Sequence, residues 1–598
     1  MVATVPAGAA VGAFGPTVVV NSNAATDNVG TDYHNRETYP VAVAVGPERW
    51  LALWQSYAPL PGGGGGGEDQ EIVRSISTDD GRTWSSMNAL LADASFDERF
   101  AEYVPAAESD GADVAVVPMW YELTWPNDGG RRVGILRSED QGETWSSLIQ
   151  LSSTGSDNPP GDIATDGAGN WVAVFASDDS LGGTIGTDYD ILFVSSSDNG
   201  LTWSAPAPVS SHAATDGGSW DIEPKVATDR AGTWVVAWEC QGTGDAISST
   251  THDLGATWSA PAVVVSPASG YLGEFDIETD GAGNWLVAST THGAWEAEET
   301  RTVRSTDAGA SWGPKVYLGA TGVTPDLIWA GGQWKVCFGT QAKALSSPDD
   351  DTDLVCANSV DGGASWSSLA VLNRQISTGA GSNAMARLAY DGAGGWLAIW
   401  QSEDPLDGSL GIDADIFAAA AHDDCPAAPA PDCTGTTVPA RSTVRVQDKP
   451  AGSGGGDLAV WTMRNAESTA LADLGDPTTA TSYALCLYDQ TSGVAELVHE
   501  LDAPAGTGWT AIGAGYRFAD KSRLSTPVTA VKLQADGDEV GRFRLKASGL
   551  TLAPPRLPLA QDTEVIAQLR NLQSGRCWEA VYSQASTNDA TRFSARSD

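Results

Sequence analysis

The chain has 598 residues and a mass of 62.0 kDa, which is more than one hydrophobic core usually serves. Hydrophobic residues make up 41% and charged residues 18%, a balance that excludes an intrinsically disordered chain. No uninterrupted apolar run reaches the roughly 18–20 residues that a membrane-spanning helix needs, so no membrane span is expected.

The formal net charge of -44 is unevenly distributed along the sequence. Residues 434–598 hold 16 Lys+Arg and 18 Asp+Glu, which leaves 17 basic and 59 acidic residues in 1–433. Such an acidic surface repels phosphate backbones and anionic lipid headgroups. We therefore expect no nucleic-acid partner, whereas cations and neutral ligands remain compatible with the charge.

The N-terminal segment MVATVPAGAAVGAFGP lacks a basic n-region and a full apolar h-region, so no signal peptide is visible. We predict a tail over residues 1–15. The next segment, FGPTVVVNS, has the pattern of a short strand and matches the later segment WSAPAVVVS.

A repeated motif, S-x-D-x-G-x-[ST]-W, dominates the sequence from residue 77 to residue 366. Short apolar strands precede and follow each copy, so each motif is predicted to form a turn between two strands. Asp accepts hydrogen bonds from nearby backbone N–H groups and Gly adopts a positive φ, which suits both residues to such a turn. Five copies match the motif and a sixth, THDLGATW from Thr251, changes only its first residue. The six copies place an aspartate at Asp79, Asp140, Asp198, Asp253, Asp307 and Asp361.

A second pattern, a Gly-containing turn followed by Trp and an apolar strand, alternates with the first. It recurs seven times, with a weaker copy at GADVAVVPMW. Each repeat thus predicts four strands, which is the content of a β-propeller blade. We predict an all-β, seven-bladed propeller over residues 16–424, in which FGPTVVVNS closes the ring as the outer strand of the last blade. The repeat tryptophans are predicted core residues: Trp50, Trp171, Trp234, Trp285, Trp334 and Trp396.

The six copies of S-x-D-x-G-x-[ST]-W resemble the Asp-box, or BNR repeat, of the sialidase superfamily of β-propellers. The resemblance covers residues 1–433 and implies that the Asp-boxes are structural and lie away from the active site. It also implies that a sialidase would need an arginine cluster for the substrate carboxylate, a Tyr with a Glu as the nucleophile system, and an Asp as acid/base.

The sequence departs from the sialidase pattern at two points. The Arg-Ile-Pro opening of the first inner strand aligns with Thr38, Tyr39 and Pro40, which leaves Arg36 two residues early. The resemblance also implies six blades in sialidases, whereas this sequence predicts seven.

The loops that enter the inner strands build the mouth of a propeller, and they supply the candidate site residues. Arg36, Arg99 and Arg387 fall on adjacent blades and are the candidate anion site; ion pairs with neighbouring carboxylates are the alternative interpretation. Trp220 is a further candidate for substrate binding. The candidate catalytic residues are Glu37 with Tyr39 or Tyr103, and Asp162 or Asp221 as the acid.

Paired acidic residues precede several predicted third strands. The pairs are Asp69 and Glu71, Asp188 and Asp190, Asp351 and Asp353, and Asp413 and Asp415. Paired oxygens suit a calcium ion. The alternative is an acidic surface loop, which we favour because no complete calcium-binding loop is present. No metal site is assigned, and no cofactor is expected.

The sequence after residue 424 changes character. Residues 425–440 form a Pro-rich linker, and residues 441–598 show alternating apolar runs typical of a β-sandwich. From position alone we predict disulfides Cys425–Cys433, Cys337–Cys356 and Cys486–Cys577, which leave Cys240 unpaired. Such bridges favour an oxidising, extracellular or cell-envelope location.

Two functions fit these features. The first is a secreted, sialidase-like propeller that binds extracellular glycans or proteins at its mouth without sialidase activity. The alternative is an exo-acting glycoside hydrolase of the exo-α-sialidase type. The sequence does not decide the oligomeric state.

Overall fold

The computed structural model describes residues 14, 17–24, 36–46, 49–57, 71–81, 83–90, 102–104, 106–121, 131–152, 157–215, 218–267, 271–292, 299–341, 352–372, 381–392, 394–403, 410, 414–422, 425, 429–431, 433–436, 438–448, 457–491, 494–506, 508–520, 528–535, 540–549, 555, 557–561 and 564–598. These residues fold into two compact units, Thr17–Ala420 and Ala421–Asp598. Among them, no helix is long and apolar enough to cross a membrane.

The first unit contains seven antiparallel sheets in the described part of the chain, in agreement with the seven repeats. A short N-terminal strand, β1 (Val18–Val19), belongs to the last sheet. The first three sheets, blades 1–3, are formed by β2 (Glu37–Gly46), β3 (Arg49–Ser56), β4 (Glu71–Ser77) and β5 (Asn88–Ala89); by β6 (Glu102–Tyr103), β7 (Glu108–Ser109), β8 (Ala115–Tyr121), β9 (Arg132–Ser138) and β10 (Ile149–Gln150); and by β11 (Pro160–Thr165), β12 (Trp171–Ser177), β13 (Asp190–Ser196) and β14 (Ala207–Pro208).

The remaining sheets repeat the same order of strands. Blades 4–7 are formed by β15 (Asp221–Thr228), β16 (Trp234–Cys240), β17 (Asp245–Thr251) and β18 (Ala262–Val265); by β19 (Tyr271–Thr279), β20 (Trp285–His292), β21 (Glu299–Ser305) and β22 (Val316–Thr321); by β23 (Val323–Ala330), β24 (Gln333–Thr340), β25 (Asp353–Ser359) and β26 (Ala370–Val371); and by β27 (Asn383–Tyr390), β28 (Gly395–Ser402) and β29 (Asp415–His422) with β1. A 3-10 helix (Ser211–Ala214) precedes blade 4.

The N-terminus closes the ring as the sequence predicts. Val18 pairs with Ala418 and Val19 with Phe417, so β1 is the outer strand of blade 7. The inner strands of blades 7 and 1, β27 and β2, are also neighbours. Because the first and last blades are joined in this way, blade 7 has no unpaired outer edge at β29.

The hydrophobic core of the propeller lies between neighbouring blades. All six repeat tryptophans are buried at the start of the second strand of their blades, which confirms them as core residues. In blade 2 the register places Ala115 at this position, because Ala115 pairs with Ser138 as Trp171 pairs with Ser196.

Each Asp-box folds into the same hydrogen-bonded turn. In the third copy, the Ser196 hydroxyl donates to Asp198 (2.8 Å) and accepts from the Gly200 amide (3.0 Å), while Thr202 donates its amide and hydroxyl to Asp198 (2.9 and 2.6 Å). The other five copies repeat these four bonds. The hydrogen bonds from Thr202 and Ser196 lower the pKa of Asp198 to about 2.

The glycine of each Asp-box also packs against the preceding blade. Gly255 has φ +90°, and a Cβ atom added to it would lie 2.2 Å from Cε2 of Phe193 on β13. The boxes therefore join neighbouring blades as well as closing the turns.

The second unit is a β-sandwich. Its eight-stranded sheet has the order β34-β35-β36-β37-β31-β30-β41-β40, and its four-stranded sheet has the order β33-β32-β38-β39. One hydrophobic core contains residues of both sheets, including Trp461, Tyr483, Leu545 and Trp578. The strands are β30 (Ser442–Gln447), β31 (Asp457–Ala466), β32 (Tyr483–Thr491), β33 (Val494–Ala503), β34 (Trp509–Ile512), β35 (Gly515–Ala519), β36 (Val528–Ala535), β37 (Gly541–Gly549), β38 (Val565–Asn571), β39 (Cys577–Tyr582), β40 (Ala585–Asp589) and β41 (Arg592–Arg596), with a 3-10 helix at Leu471–Leu474.

Two of the three predicted disulfides are wrong. Cys337–Cys356 is present, but Cys425 is joined to Cys486 and Cys433 to Cys577. The described part of the segment between Cys425 and Cys433 is held on the small sheet, where Ala430 exchanges hydrogen bonds with the side chain of Gln568. Cysteines close in sequence are thus directed to different strands. Cys240 is unpaired and buried, as predicted.

Replacing Gly255 with alanine tests the packing of the Asp-box on the preceding blade. Gly319 has a similar φ of +84° with no atom within 4 Å of the position that an added methyl group would take, so Gly319→Ala carries the backbone strain without the clash. We expect Gly255→Ala to cost about 1–3 kcal/mol more than Gly319→Ala in chemical denaturation followed by tryptophan fluorescence. Equal losses would show that the contact with Phe193 is unimportant.

Thiol labelling tests the disulfide assignment. All seven cysteines lie in the described residues, and six of them are bridged. We expect one reactive thiol per chain, on the peptide containing Cys240, after unfolding without reductant. A Cys425–Cys433 peptide in the mass spectrum of the digest would contradict the assignment.

Candidate functional site

The mouth of the propeller is the end at which the inner strands begin. The Asp-boxes follow the third strands and therefore lie at the opposite end. Six inner strands have a register shift near their start, and in four of them the shift contains a left-handed residue: Tyr39, Glu223, Thr324 and Met385. The left-handed conformation of Tyr39 is thus a repeated feature of the strands, and it does not single out this candidate.

Five charged residues occupy equivalent positions on the inner strands. Each lies three residues before the inner-strand residue that pairs with the repeat tryptophan of the second strand. We call them the channel ring: Asp162, Lys225, Asp276, Asp326 and Arg387. Because the inner strands surround the axis of the propeller, these positions face one another. Each side chain is partly accessible to solvent.

The carboxylates of the channel ring bind the inner strand of the following blade. Asp162 accepts the Val226 amide (3.0 Å), Asp276 accepts the Leu327 amide (2.8 Å), and Asp326 accepts the Leu388 amide (2.7 Å). Inner strands have an edge without a neighbouring strand, and these contacts satisfy amides that would otherwise lack a partner.

Burial raises the pKa of several carboxyl groups along this axis. Burial raises that of Asp326 to about 7 although Arg387, with Nη1 3.6 Å from Oδ1, opposes the shift. Burial also raises the pKa of Asp276, against the effect of Lys225. One layer further along, burial raises the pKa of Glu108 to about 7 and that of Glu278 to about 8.

A second group of side chains lies at the rim of the mouth, on blades 2, 3 and 4. We call it the rim cluster: Trp120, Arg131, Asp157, Tyr189 and Trp220. Arg131 binds Asp157 in bidentate geometry, with Nε 2.7 Å from Oδ1 and Nη2 2.6 Å from Oδ2. Tyr189 donates its hydroxyl to Oδ2 of Asp157 (2.6 Å). Each of the five residues lies at or next to the mouth end of a strand.

The aromatic side chains complete the rim cluster. The guanidinium of Arg131 lies 5.6 Å from the ring centre of Trp120, and the rings of Tyr189 and Trp220 meet edge to face at 5.3 Å. Trp220 is nevertheless 52% exposed. Its backbone is fixed, because its carbonyl accepts the Gln241 amide and the next residue, Asp221, donates its amide to the Tyr189 carbonyl. The result is an exposed aromatic face held in a fixed position.

The hydrogen bonds of the rim cluster set its charges. Burial disfavours ionisation of Asp157, but the bonds from Arg131 and Tyr189 outweigh it and hold its pKa at about 2. Burial, and then the hydrogen bond to Asp157, raise the pKa of Tyr189 to about 12. At neutral pH the cluster therefore holds an ion pair and a neutral tyrosine.

The candidates named from sequence are dispersed among different environments. Arg36 contacts Glu403 at 3.6 Å, Arg387 contacts Asp326, and Arg99 lies outside the described residues, as does the side chain of Tyr103. Glu37 is buried and accepts hydrogen bonds from Ser56 and Asn23, and Asp221 is also buried.

The described members of the paired acidic residues belong to no group of three ligands. Asp190, Asp353 and Asp415 are buried at the first position of third strands, whereas Asp69, Asp351 and Asp413 lie outside the described residues. Within the described ranges, no three His, Cys, Asp or Glu side chains converge as metal ligands. The acidic surface loops favoured from sequence, and calcium binding as the alternative, both stay predictions.

Sequence reasoning missed Trp120, Arg131, Asp157 and Tyr189. They come from separate segments on two blades, and only the three-dimensional ring brings them to Trp220. Because each Asp-box marks the end of a third strand, the sequence could have placed these four residues at the mouth end of the propeller. It could not have shown that they are next to one another.

Residues 48–273 match the family model described as a BNR repeat-like domain. This segment of the propeller is therefore similar to the BNR, or Asp-box, repeats. No curated protein matches the chain. The expected resemblance of the Asp-box repeats is thereby confirmed at the level of the superfamily.

The chain is similar to solved structures of proteins with different activities and to one of unknown function. A protein of unknown function from Dyadobacter fermentans DSM 18053 is 13% identical, covers 68% of this chain and 98% of its own, and has a TM-score of 0.41. Hadza microbial sialidase Hz136 is 16% identical, covers 66% of this chain and 68% of its own, and has a TM-score of 0.38. A PL25 ulvan lyase bound to -[GlcA(1-4)Rha3S]- is 12% identical, with coverages of 69% and 96% and a TM-score of 0.42.

Substituting Glu278 tests the electrostatics of the propeller axis. Its pKa is about 8 in the folded protein and ordinarily 4.5, so the folded state binds more protons between these values and stability falls as the pH rises through them. Glu278→Gln keeps an oxygen for the Thr279 amide and removes the charge. We expect the melting temperature of the variant to exceed that of the wild type by roughly 1–3 °C at pH 9 and to match it at pH 4.

A difference between the two proteins that is the same at pH 4 and pH 9 would contradict the raised pKa of Glu278. Asp280→Asn is the matched control, because Asp280 lies two residues further along in the exposed turn after β19 and accepts backbone amides there. No corresponding gain at pH 9 is expected for it.

Proposed function

We propose that the BNR propeller binds neutral extracellular glycans at the rim cluster. The observation that carries the proposal is the exposed face of Trp220, fixed in position beside Tyr189 and the Arg131–Asp157 pair. An indole face packs against the apolar face of a sugar ring, and nearby ionised groups hydrogen-bond its hydroxyls. The extracellular location is supported by the three disulfides.

The charge of the propeller favours neutral glycans over acidic ones. Residues 1–433 carry 59 acidic and 17 basic residues, so the field around the mouth repels anionic sugars. The rim cluster contains one guanidinium group, that of Arg131, and two of its nitrogens already donate hydrogen bonds to the carboxylate of Asp157. An acidic sugar would have to compete with this carboxylate for Arg131.

Binding without sialidase activity is supported by the environment of the arginines. A carboxylate grip requires guanidinium groups that converge on the ligand. Arg36 and Arg387 instead contact Glu403 and Asp326, respectively. Hydrolysis of aryl sialosides that is lost in an Arg36→Ala/Arg387→Ala variant would establish the alternative, an exo-acting glycoside hydrolase.

Glycan-array binding of the wild type and its variants tests the proposal directly. We expect the wild type to bind a set of neutral glycans, and Trp220→Ala to lose at least about tenfold in affinity, as expected for a central aromatic contact. Tyr317→Ala is the matched control, because Tyr317 is 56% exposed on the outer strand β22, away from the mouth. Trp220→Phe should retain part of the affinity.

Two results would overturn the proposal. One is undiminished binding of neutral glycans by Trp220→Ala, and the other is an equal loss in Tyr317→Ala. Isothermal titration with the strongest glycan from the array gives the affinities, and the far-UV spectrum of each variant reports its fold.

A further inference from the structure

The outer face of the eight-stranded sheet in the C-terminal sandwich carries an unusual concentration of positive charge. Nine of the 16 basic residues in 434–598 lie on it, seven of them arginines. Their neighbours along each strand, such as Val444, Met463 and Leu545, point into the core, so strand alternation directs the charged side chains outward. We call this surface the basic face: Arg445, Arg464, Arg517, Lys532, Arg542, Arg544, Lys546, Arg592 and Arg596.

The strand register arranges these side chains in rows across the sheet. Arg517 is opposite Lys532, and Lys532 is opposite Arg544. The same row continues through Thr462 and Thr443 to Arg596. Neighbouring strands are about 4.8 Å apart, so the row presents Arg517, Lys532 and Arg544 at the spacing of adjacent strands, with Arg596 three strands beyond Arg544.

The arrangement opposes stability. Lys532 with Arg544, and Arg464 with Arg542, are like charges directly opposite each other on paired strands, an arrangement that destabilises a sheet. Seven of the nine side chains are exposed, and Lys546 and Arg592 are half-buried. Since this clustering does not stabilise the fold, a ligand that neutralises it provides a reason for its presence.

The other side chains of the basic face define the chemistry of that ligand. Among the described strand positions of this face, the only carboxylate is Asp589, at the sheet edge opposite Arg592. No aromatic side chain lies among those positions, so the stacking platform used for single-stranded nucleic acid is missing from them. The positions between the cations hold threonine, serine, alanine and glutamine side chains together with Val460 and Leu458.

We propose that the basic face binds a linear acidic polysaccharide through its carboxylate or sulfate groups. Guanidinium groups bind such oxyanions in bidentate fashion, which accounts for seven arginines among nine cations. A flat array of charges suits an extended polymer better than a small anion, which would need a pocket.

The proposal is independent of glycan binding at the rim cluster. The rim cluster belongs to the unit Thr17–Ala420 and the basic face to Ala421–Asp598. Trp220→Ala should therefore bind acidic polysaccharide as the wild type does. A failure of neutral-glycan binding at the rim cluster and a failure of polysaccharide binding at the basic face are therefore distinguished by testing the Trp220→Ala variant and the basic-face variants with both ligands.

Affinity electrophoresis of the full chain with polygalacturonate and with dextran sulfate tests the proposal, with neutral dextran as the reference polymer. We expect binding to both acidic polymers and none to dextran. Arg517→Ser/Lys532→Ser/Arg544→Ser should weaken binding at least about tenfold. On DNA, each charge that a protein neutralises adds about 0.9 to the slope of log affinity against log salt concentration, because counterions are released. Removal of three cations therefore predicts a slope that is smaller by roughly 2–3 in the variant than in the wild type.

Arg517→Lys/Arg544→Lys is the matched control, since it changes the same positions and keeps the charge; it should keep the salt dependence of the wild type and lose only the part of the affinity that bidentate guanidinium contacts supply. Where the triple variant fails to fold, Arg464→Ser/Arg542→Ser replaces a second opposed pair and should weaken binding in the same way. The proposal is overturned by unchanged binding in the folded variants, by equal binding to neutral dextran, or by tighter binding to duplex DNA or to phosphatidylserine vesicles than to both polysaccharides.

Discussion

The propeller depends on satisfying the inner edges of its sheets. Each inner strand reaches the axis of the ring with one edge that no strand covers, and buried backbone amides there need partners. Asp162, Asp276 and Asp326 supply them by accepting amides of the following blade. At the outer edge of blade 7, the pairing of Val18–Val19 with β29 gives the backbone of β29 its hydrogen-bond partners. The Asp-boxes then fix the spacing between blades from the opposite end.

This arrangement leaves the mouth available for a ligand. The Asp-boxes lie at the far end, and the channel-ring carboxylates are occupied by backbone amides. The rim cluster draws its side chains from loops on blades 2–4, whose relative positions the ring determines. The acidic propeller and the basic face are the two surfaces for which we propose neutral and acidic glycans, respectively, as ligands.

The repeats made the architecture readable from sequence, because each blade encodes the same turn and the same buried Trp. Even the closing strand at Val18–Val19 followed from its likeness to other fourth strands. The disulfides did not, because Cys425 and Cys433 are brought to separate strands by a path along the small sheet that no local pattern encodes. The rim cluster was missed for the same reason: Arg131, Asp157 and Tyr189 meet only across blades. Trp220 alone was nameable, since it immediately precedes an inner strand.

Hydrogen–deuterium exchange on the full chain, with and without a bound neutral oligosaccharide, is the decisive test of glycan binding at the rim cluster. We predict protection of the peptides that contain Asp157, Tyr189 and Trp220, which are neighbours only in the folded ring. Protection confined to the Asp-box turns or to the C-terminal sandwich would contradict this assignment of the binding site.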